Sequence, residues 1–202
     1  MQQIISQFLN DIHQTSWLEF IAVVTGIASV VFSRKENILV YPVGMINTGI
    51  FIFLYITHGL YADASVNFYY TVMSIVGWVM WAKKADGKKV LIITASSKRE
   101  WRNSLLFFAG CWVILYLLLS RFTDSTVPIA DSFTSAAAFT GMWLMNKKKL
   151  ENWTWWIITD LASIPLNFYK HLVFTSFQYL VFLILAVMGY ITWRKKILFG
   201  IT

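Results

Sequence analysis

Charge is scarce in this chain, and acidic charge most of all. Only 10 of the 202 residues are Asp or Glu and 13% are charged, where a soluble domain carries about 25%. So few ionic groups cannot cover a surface that faces water on every side, which excludes an ordinary soluble domain. The one cysteine, Cys111, cannot form an intrachain disulfide. No H-E-x-x-H, G-x-S-x-G, Walker loop or metal-spaced Cys/His cluster occurs. No catalytic residues, metal ligands or cofactor are therefore expected, and an enzyme is not the reading. No Pro/Gly/Ser-rich linker divides the chain, which points to one membrane domain over residues 1–202. The first basic residue is Arg34, so no charged segment precedes an apolar core as in a removable signal peptide.

Apolar side chains are abundant instead: 57% of residues are hydrophobic. A helix crossing about 30 Å of hydrocarbon needs about 20 mainly apolar residues. Runs of that kind lie at 16–33, 38–57, 64–82, 104–120, 128–145, 152–169 and 174–193. They lack the period-two alternation of barrel strands. The fold class expected is an all-α integral membrane protein with seven transmembrane helices, partnered by the lipid bilayer. The short apolar stretch 90–94 is too brief to span.

The net charge of +7 could suggest nucleic acid, but the basic clusters fall in the gaps between apolar runs, where topology explains them. Alternation puts fifteen of the seventeen Lys and Arg on one face, leaving Arg121 and Lys170 on the other. By the positive-inside rule that face is cytoplasmic, giving N-terminus out and C-terminus in, with no nucleic-acid partner.

An odd helix count prompts a search for duplication about a central helix. Asn47 aligns with Asp160, Tyr55 with Phe168 and His58 with His171 at an offset of 113. Gly77 aligns with Gly189, Trp78 with Tyr190, Trp81 with Trp193 and Lys83 with Lys195 at 112. One deletion reconciles the two. The reading is a 3+1+3 arrangement with a SWEET-like pseudo-two-fold. It has repeat one at about 16–82, a linking helix at about 104–120 and repeat two at about 128–193. Parallel repeats of this sort are a transporter design with the substrate held near mid-membrane.

Polar side chains within spans carry the most information, because they are expensive there and face a cavity or a partner. Asp160 stands out in the sixth span, with Asn47 in the second. Trp153, Trp156, Asp160 and Asn167 form one helical stripe, and Asn67, Tyr70, Ser74, Trp78 and Trp81 form another. Gln178 and Tyr179 complete the candidate binding set. Flat π surfaces with a few directed polar groups suit an aromatic ring on a polyol, and Asp160 favours a cationic ring. Each tryptophan also fits an anchor in the interfacial aromatic belt, and both readings stay open.

The stretches Tyr41-Pro-Val-Gly-Met-Ile-Asn47, Leu60-Tyr61-Ala62, Gly77-Trp78-Val-Met-Trp81 and Glu151-Asn152-Trp153-Thr-Trp-Trp156 resemble the PnuC family of bacterial vitamin transporters. The resemblance runs from about residue 17 to 196. It implies an inner-membrane facilitator without an ATPase, often a homotrimer, whose small-molecule vitamin is trapped by cytoplasmic phosphorylation. Nicotinamide riboside is the substrate it suggests. Some members carry an asparagine where this chain has Asp160, which keeps thiamine, another cationic ring, as the alternative. A membrane scaffold without transport is the more remote one. A retinal protein is disfavoured, since no lysine lies within 174–193.

Overall fold

The computed structural model describes residues 16–85, 88–89, 91–170 and 172–200. Among these residues seven helices follow one another: α1 (Trp17–Arg34), α2 (Val40–Thr57), α3 (Tyr61–Ala82), α4 (Lys98–Phe122), α5 (Pro128–Asn146), α6 (Asn152–Tyr169) and α7 (Val173–Phe199). Between α3 and α4 a two-residue hairpin pairs β1 (Lys84–Ala85) with β2 (Lys88–Lys89). The seven expected spans coincide with the seven helices, with two extensions. α4 begins early because Ser97 and Glu100 form a reciprocal capping box at its N-terminus. α7 runs past the hydrocarbon region, where long basic side chains such as Arg194 can reach the interface, and stops at the left-handed Gly200 (φ 62°).

Helices α1, α2, α4 and α7 are each long and apolar enough to cross a membrane. The other three carry polar side chains inward, which lowers their hydropathy: Ser74 on α3, Ser132, Thr140 and Asn146 on α5, and Thr159, Asp160 and Ser163 on α6 are all buried. Consecutive helices pack within α1–α2–α3 and within α5–α6–α7, while α1 also meets α7 and α3 meets α5. α4 lies against α5.

Local geometry recurs 112 positions apart. Glu36 and Lys148 are the non-glycine residues with positive φ among those described, at 54° and 51°. Helices α2 and α6 have equal lengths of 18 residues and start 112 apart. Leu60 before α3 and Leu172 before α7 share one backbone conformation, at φ −87°, ψ 63° and φ −95°, ψ 69°. The single offset places Thr48, not Asn47, at the position matching Asp160, and pairs His58 with Lys170; His171 lies outside the described residues.

The largest buried side chains gather at the end of the bundle that holds Arg34, Glu36, Lys148 and Lys196, termed here the basic end. Tyr41 stacks edge-on against Trp81 at 5.2 Å, and Trp153 edge-on against Trp193 at 5.5 Å. The Trp81 Nε1–H donates to the Asn146 carbonyl and the Trp193 Nε1–H to the Arg34 carbonyl, each at 3.2 Å. The segment expected not to span packs here too. Ile93 is buried, and Thr94 exchanges backbone hydrogen bonds with Lys148 and Leu150 at 3.2 and 2.9 Å.

These rings fit because two glycines let the helices approach. A Cβ at Gly77 would overlap Asn146 Oδ1 and the Tyr41 ring, and one at Gly189 would lie 2.6 Å from the Trp153 indole. The obstructing groups are buried and cannot swing aside. Gly77→Ala or Gly189→Ala should therefore destabilise the protein by about 1–3 kcal/mol, read as a lower melting temperature in detergent. Gly110→Ala on α4, where a Cβ meets nothing within 4 Å, should leave it unchanged or slightly raised.

Candidate functional site

A buried carboxylate lies on α6 between the helix triplets. Asp160 is 3% exposed and makes no hydrogen bond or ion pair with another described residue. Four other side-chain polar atoms are fully sealed without a partner, including Trp153 Nε1 and Trp155 Nε1; the Asp160 oxygens are not among them and keep a little accessible surface. The reason it stands alone is local. At the matching position Thr48 shares a 2.7 Å hydroxyl contact with Thr71, whereas the residue 112 after Thr71 is Leu183, which has nothing to donate.

Aromatic groups from three other helices surround it. The phenols of Tyr70 on α3 and Tyr179 on α7 lie close enough to interact electrostatically with Asp160. Tyr70 stands 6.5 Å from the Trp156 ring and edge-on to Phe139 of α5 at 5.7 Å. Gly141 lets the Trp156 indole lie against the α5 backbone, 3.2 Å from where a Cβ would sit. One acid, two phenols and an indole, from α3, α6 and α7, are thus brought near one another inside the bundle. Such a set can hold a flat cation through charge and π contact together.

The remaining candidate residues are placed differently. Asn47 donates to the Ala22 carbonyl at 2.6 Å and fastens α2 to α1. Asn67 and Asn167 each donate to the carbonyl four residues earlier in their own helix, Asp63 and Ser163. Trp81 and Trp153 belong to the packed basic end, and Trp78 is 41% exposed. Gln178 is half-buried on α7, next to Tyr179. Phe139 and Tyr69 join the cluster without having been singled out in the sequence. Phe139, stacked on Tyr69 at 3.9 Å, was signalled only by being a large ring within the small-residue run Ser135–Gly141.

Beneath this cluster the basic end is locked by charge. Lys196 donates to Glu36 Oε1 at 2.5 Å and Lys148 to Oε2 at 3.1 Å. Lys148 is 2% exposed and also sits 4.6 Å over the Trp81 ring. Burial alone would raise the Glu36 carboxyl, but the hydrogen bonds and charges of Lys196 and Lys148 outweigh it and hold it below the ordinary 4.5. Among the described residues no group of His, Cys, Asp or Glu could hold a metal ion.

Seven helices around a polar, aromatic interior, four of them long and apolar enough to cross a membrane, have the build of a multi-pass membrane protein. The comparisons narrow this further. The family model described as nicotinamide mononucleotide transporter matches residues 16–195, and the chain belongs to that family. It is 29% identical to the nicotinamide riboside transporter PnuC of Neisseria mucosa, over 90% of this chain and 73% of that one. Identity to the Escherichia coli nicotinamide riboside transporter PnuC is 19%, over 90% and 86%. The riboflavin/roseoflavin transporter RibM of Streptomyces davaonensis is 21% identical over 88% and 84%. A crystal structure of the vitamin B3 transporter PnuC superposes with a TM-score of 0.72 at 25% identity, covering 95% of this chain and 87% of that one.

The lock at the basic end has a definite pH signature. A depressed folded-state pKa stabilises above the unfolded value and stops doing so as pH falls through the folded one. Glu36→Gln removes the buried anion that Lys148 and Lys196 share, a loss on the order of 3 kcal/mol. Its melting temperature should lie several degrees below wild type at pH 7, with the gap narrowing below pH 4.5, as thermal scans across pH would record.

Proposed function

We propose that this protein carries nicotinamide riboside across the bacterial inner membrane by facilitated diffusion, with the bound substrate between α3, α5, α6 and α7. The observation that carries the reading is Asp160: a buried carboxylate with no hydrogen-bond or ion-pair partner among the described residues, near Tyr70, Trp156 and Tyr179. A pyridinium ring supplies the missing positive charge and a face for the aromatic groups, and ribose hydroxyls suit the phenols. Relatives named as nicotinamide riboside transporters support the same substrate. Gln178, Asn47, Asn67, Asn167, Trp78, Trp81 and Trp153 remain in the proposed set, those already bonded to helix carbonyls entering only if their side chains turn during transport.

Thiamine offers a cationic ring to the same carboxylate and is the closest competitor on chemical grounds. The riboflavin/roseoflavin relative brings in a neutral tricyclic ring, which has no use for Asp160. We read the triplets α1–α3 and α5–α7 as parallel repeats joined by α4, supported by the loops and helix starts that recur 112 apart. Alternating access then opens one end at a time, with the tryptophan and ion-pair lock closing the basic end. Fifteen of seventeen basic residues on that end support placing it in the cytoplasm, with the N-terminus out and the C-terminus in. The family resemblance adds a homotrimer and trapping of the substrate by cytoplasmic phosphorylation.

Protein in liposomes should equilibrate nicotinamide riboside without ATP or an ion gradient. Removing the charge with Asp160→Asn should weaken its binding at least about tenfold, the size of one charge-assisted contact, with the melting temperature of the unliganded protein nearly unchanged. Calorimetry with nicotinamide riboside, thiamine and riboflavin on both proteins decides the matter. Equal affinities of wild type and variant for nicotinamide riboside would remove Asp160 from the site, and preferential binding of thiamine or riboflavin by the wild type would reassign the substrate.

A further inference from the structure

The α1–α7 seam at the basic end holds a groove of about 430 Å³ lined by Arg34, Met188, Ile191, Thr192, Lys195 and Lys196. It lies outside the bundle, away from Asp160, and nothing in the transport reading uses it. Its charge is lopsided. Glu36 is engaged by Lys196 and Lys148 together, and among the described residues no carboxylate pairs with Arg34 or Lys195.

Arg34 is held in place but not used up. Its Nε donates to Thr192 Oγ1 at 3.1 Å and one Nη1 hydrogen approaches the Met188 sulfur at 3.8 Å. A guanidinium has five N–H donors, so three find no acceptor among the described residues. The matching seam shows what a merely structural residue does at this place. There, 112 positions on, Asn146 is 1% exposed and its amide is spent on the Met73 carbonyl and the Tyr41 hydroxyl. The α3–α5 seam is thus sealed with an amide, and the α1–α7 seam carries an oriented cation instead.

Below the cations the groove turns apolar. Met188 and Ile191 are 39% and 48% exposed on the outer surface of α7, where a helix crossing the membrane meets acyl chains. A cationic upper part at the interface above an apolar lower part matches one molecule, a phospholipid with an anionic headgroup. We propose that this groove binds the phosphate of an anionic phospholipid through Arg34 and Lys195, with its acyl chains along Met188 and Ile191. The site is independent of which vitamin is carried.

Native mass spectrometry and thermal shift of the purified protein test this, with phosphatidylglycerol, phosphatidylcholine and inorganic phosphate as separate probes. Wild type should retain phosphatidylglycerol over phosphatidylcholine and melt higher with it. Neutralising both cations with Arg34→Gln plus Lys195→Gln should cut that preference on the order of tenfold. Lys195→Gln alone alters an exposed residue and leaves the Arg34–Thr192 bond intact, so it should fold normally and lose part of the preference, while Arg34→Lys with Lys195 retained should keep most of it. Equal retention of the two lipids by wild type, or an unchanged preference in the double variant, overturns the site. Inorganic phosphate that matches the lipid's stabilisation and displaces it would overturn the lipid assignment in favour of a soluble anion. None of these readouts involves vitamin transport, so failure of that reading would leave this test intact.

Discussion

Two helices that end inside this protein leave carbonyls with no turn of helix to satisfy them, and that debt shapes the whole basic end. The last carbonyls of any helix are orphaned, and away from water each needs a donor. In α1 and α5 the loop that follows meets several of these, and the final carbonyl takes its donor from the opposite triplet: Trp193 of α7 reaches the Arg34 carbonyl, and Trp81 of α3 reaches the Asn146 carbonyl. The rings packed edge-on against these indoles, Tyr41 and Trp153, fit because Gly77 and Gly189 lie beneath them. Small residue, large ring and capped carbonyl form one unit, and it occurs twice.

Where the two units differ, chemistry collects. Glu36 and Lys148 occupy equivalent loop positions with the same left-handed backbone and attract each other across the seam. Thr48 and Thr71 satisfy one another, while Asp160 has Leu183 where a second hydroxyl would stand in the repeat and makes no hydrogen bond with a described residue. Arg34 and Asn146 end equivalent helices, yet one side chain is consumed by packing and the other is not. A fold that repeats its scaffold can vary single side chains at matched places without disturbing what holds the halves together.

The helices were legible because each is a long apolar run bounded by charge, and membrane thickness sets its length. Their ends were less so. Ser97 and Glu100 extend α4 by a local signal visible in the sequence, but the packing of Ile93 and the bridge from Thr94 to the 147–150 loop depend on a partner far along the chain. The offset of 113 drawn from polar types, Asn47 with Asp160, differs by one residue from the 112 at which loop geometry and helix starts recur. Of the candidate residues, Tyr70 from one stripe and Trp156 and Asp160 from the other lie near Tyr179, which belongs to neither stripe. Helical periodicity says which face a residue occupies, but not whether an amide turns back to its own helix, as Asn67 and Asn167 do.

The least buried helix, α4, matters through arithmetic alone. It packs on little besides α5, and its most apolar window has no buried residue, so most of its surface is free to drift in sequence so long as it stays greasy. Yet its 25 residues, about 37 Å of helix, make the number of crossings before α5 even. α1 and α5 therefore point the same way and finish at the same face. Excise α4 and the chain would thread its latter half upside down, parting each indole from the carbonyl it caps by the thickness of the bilayer.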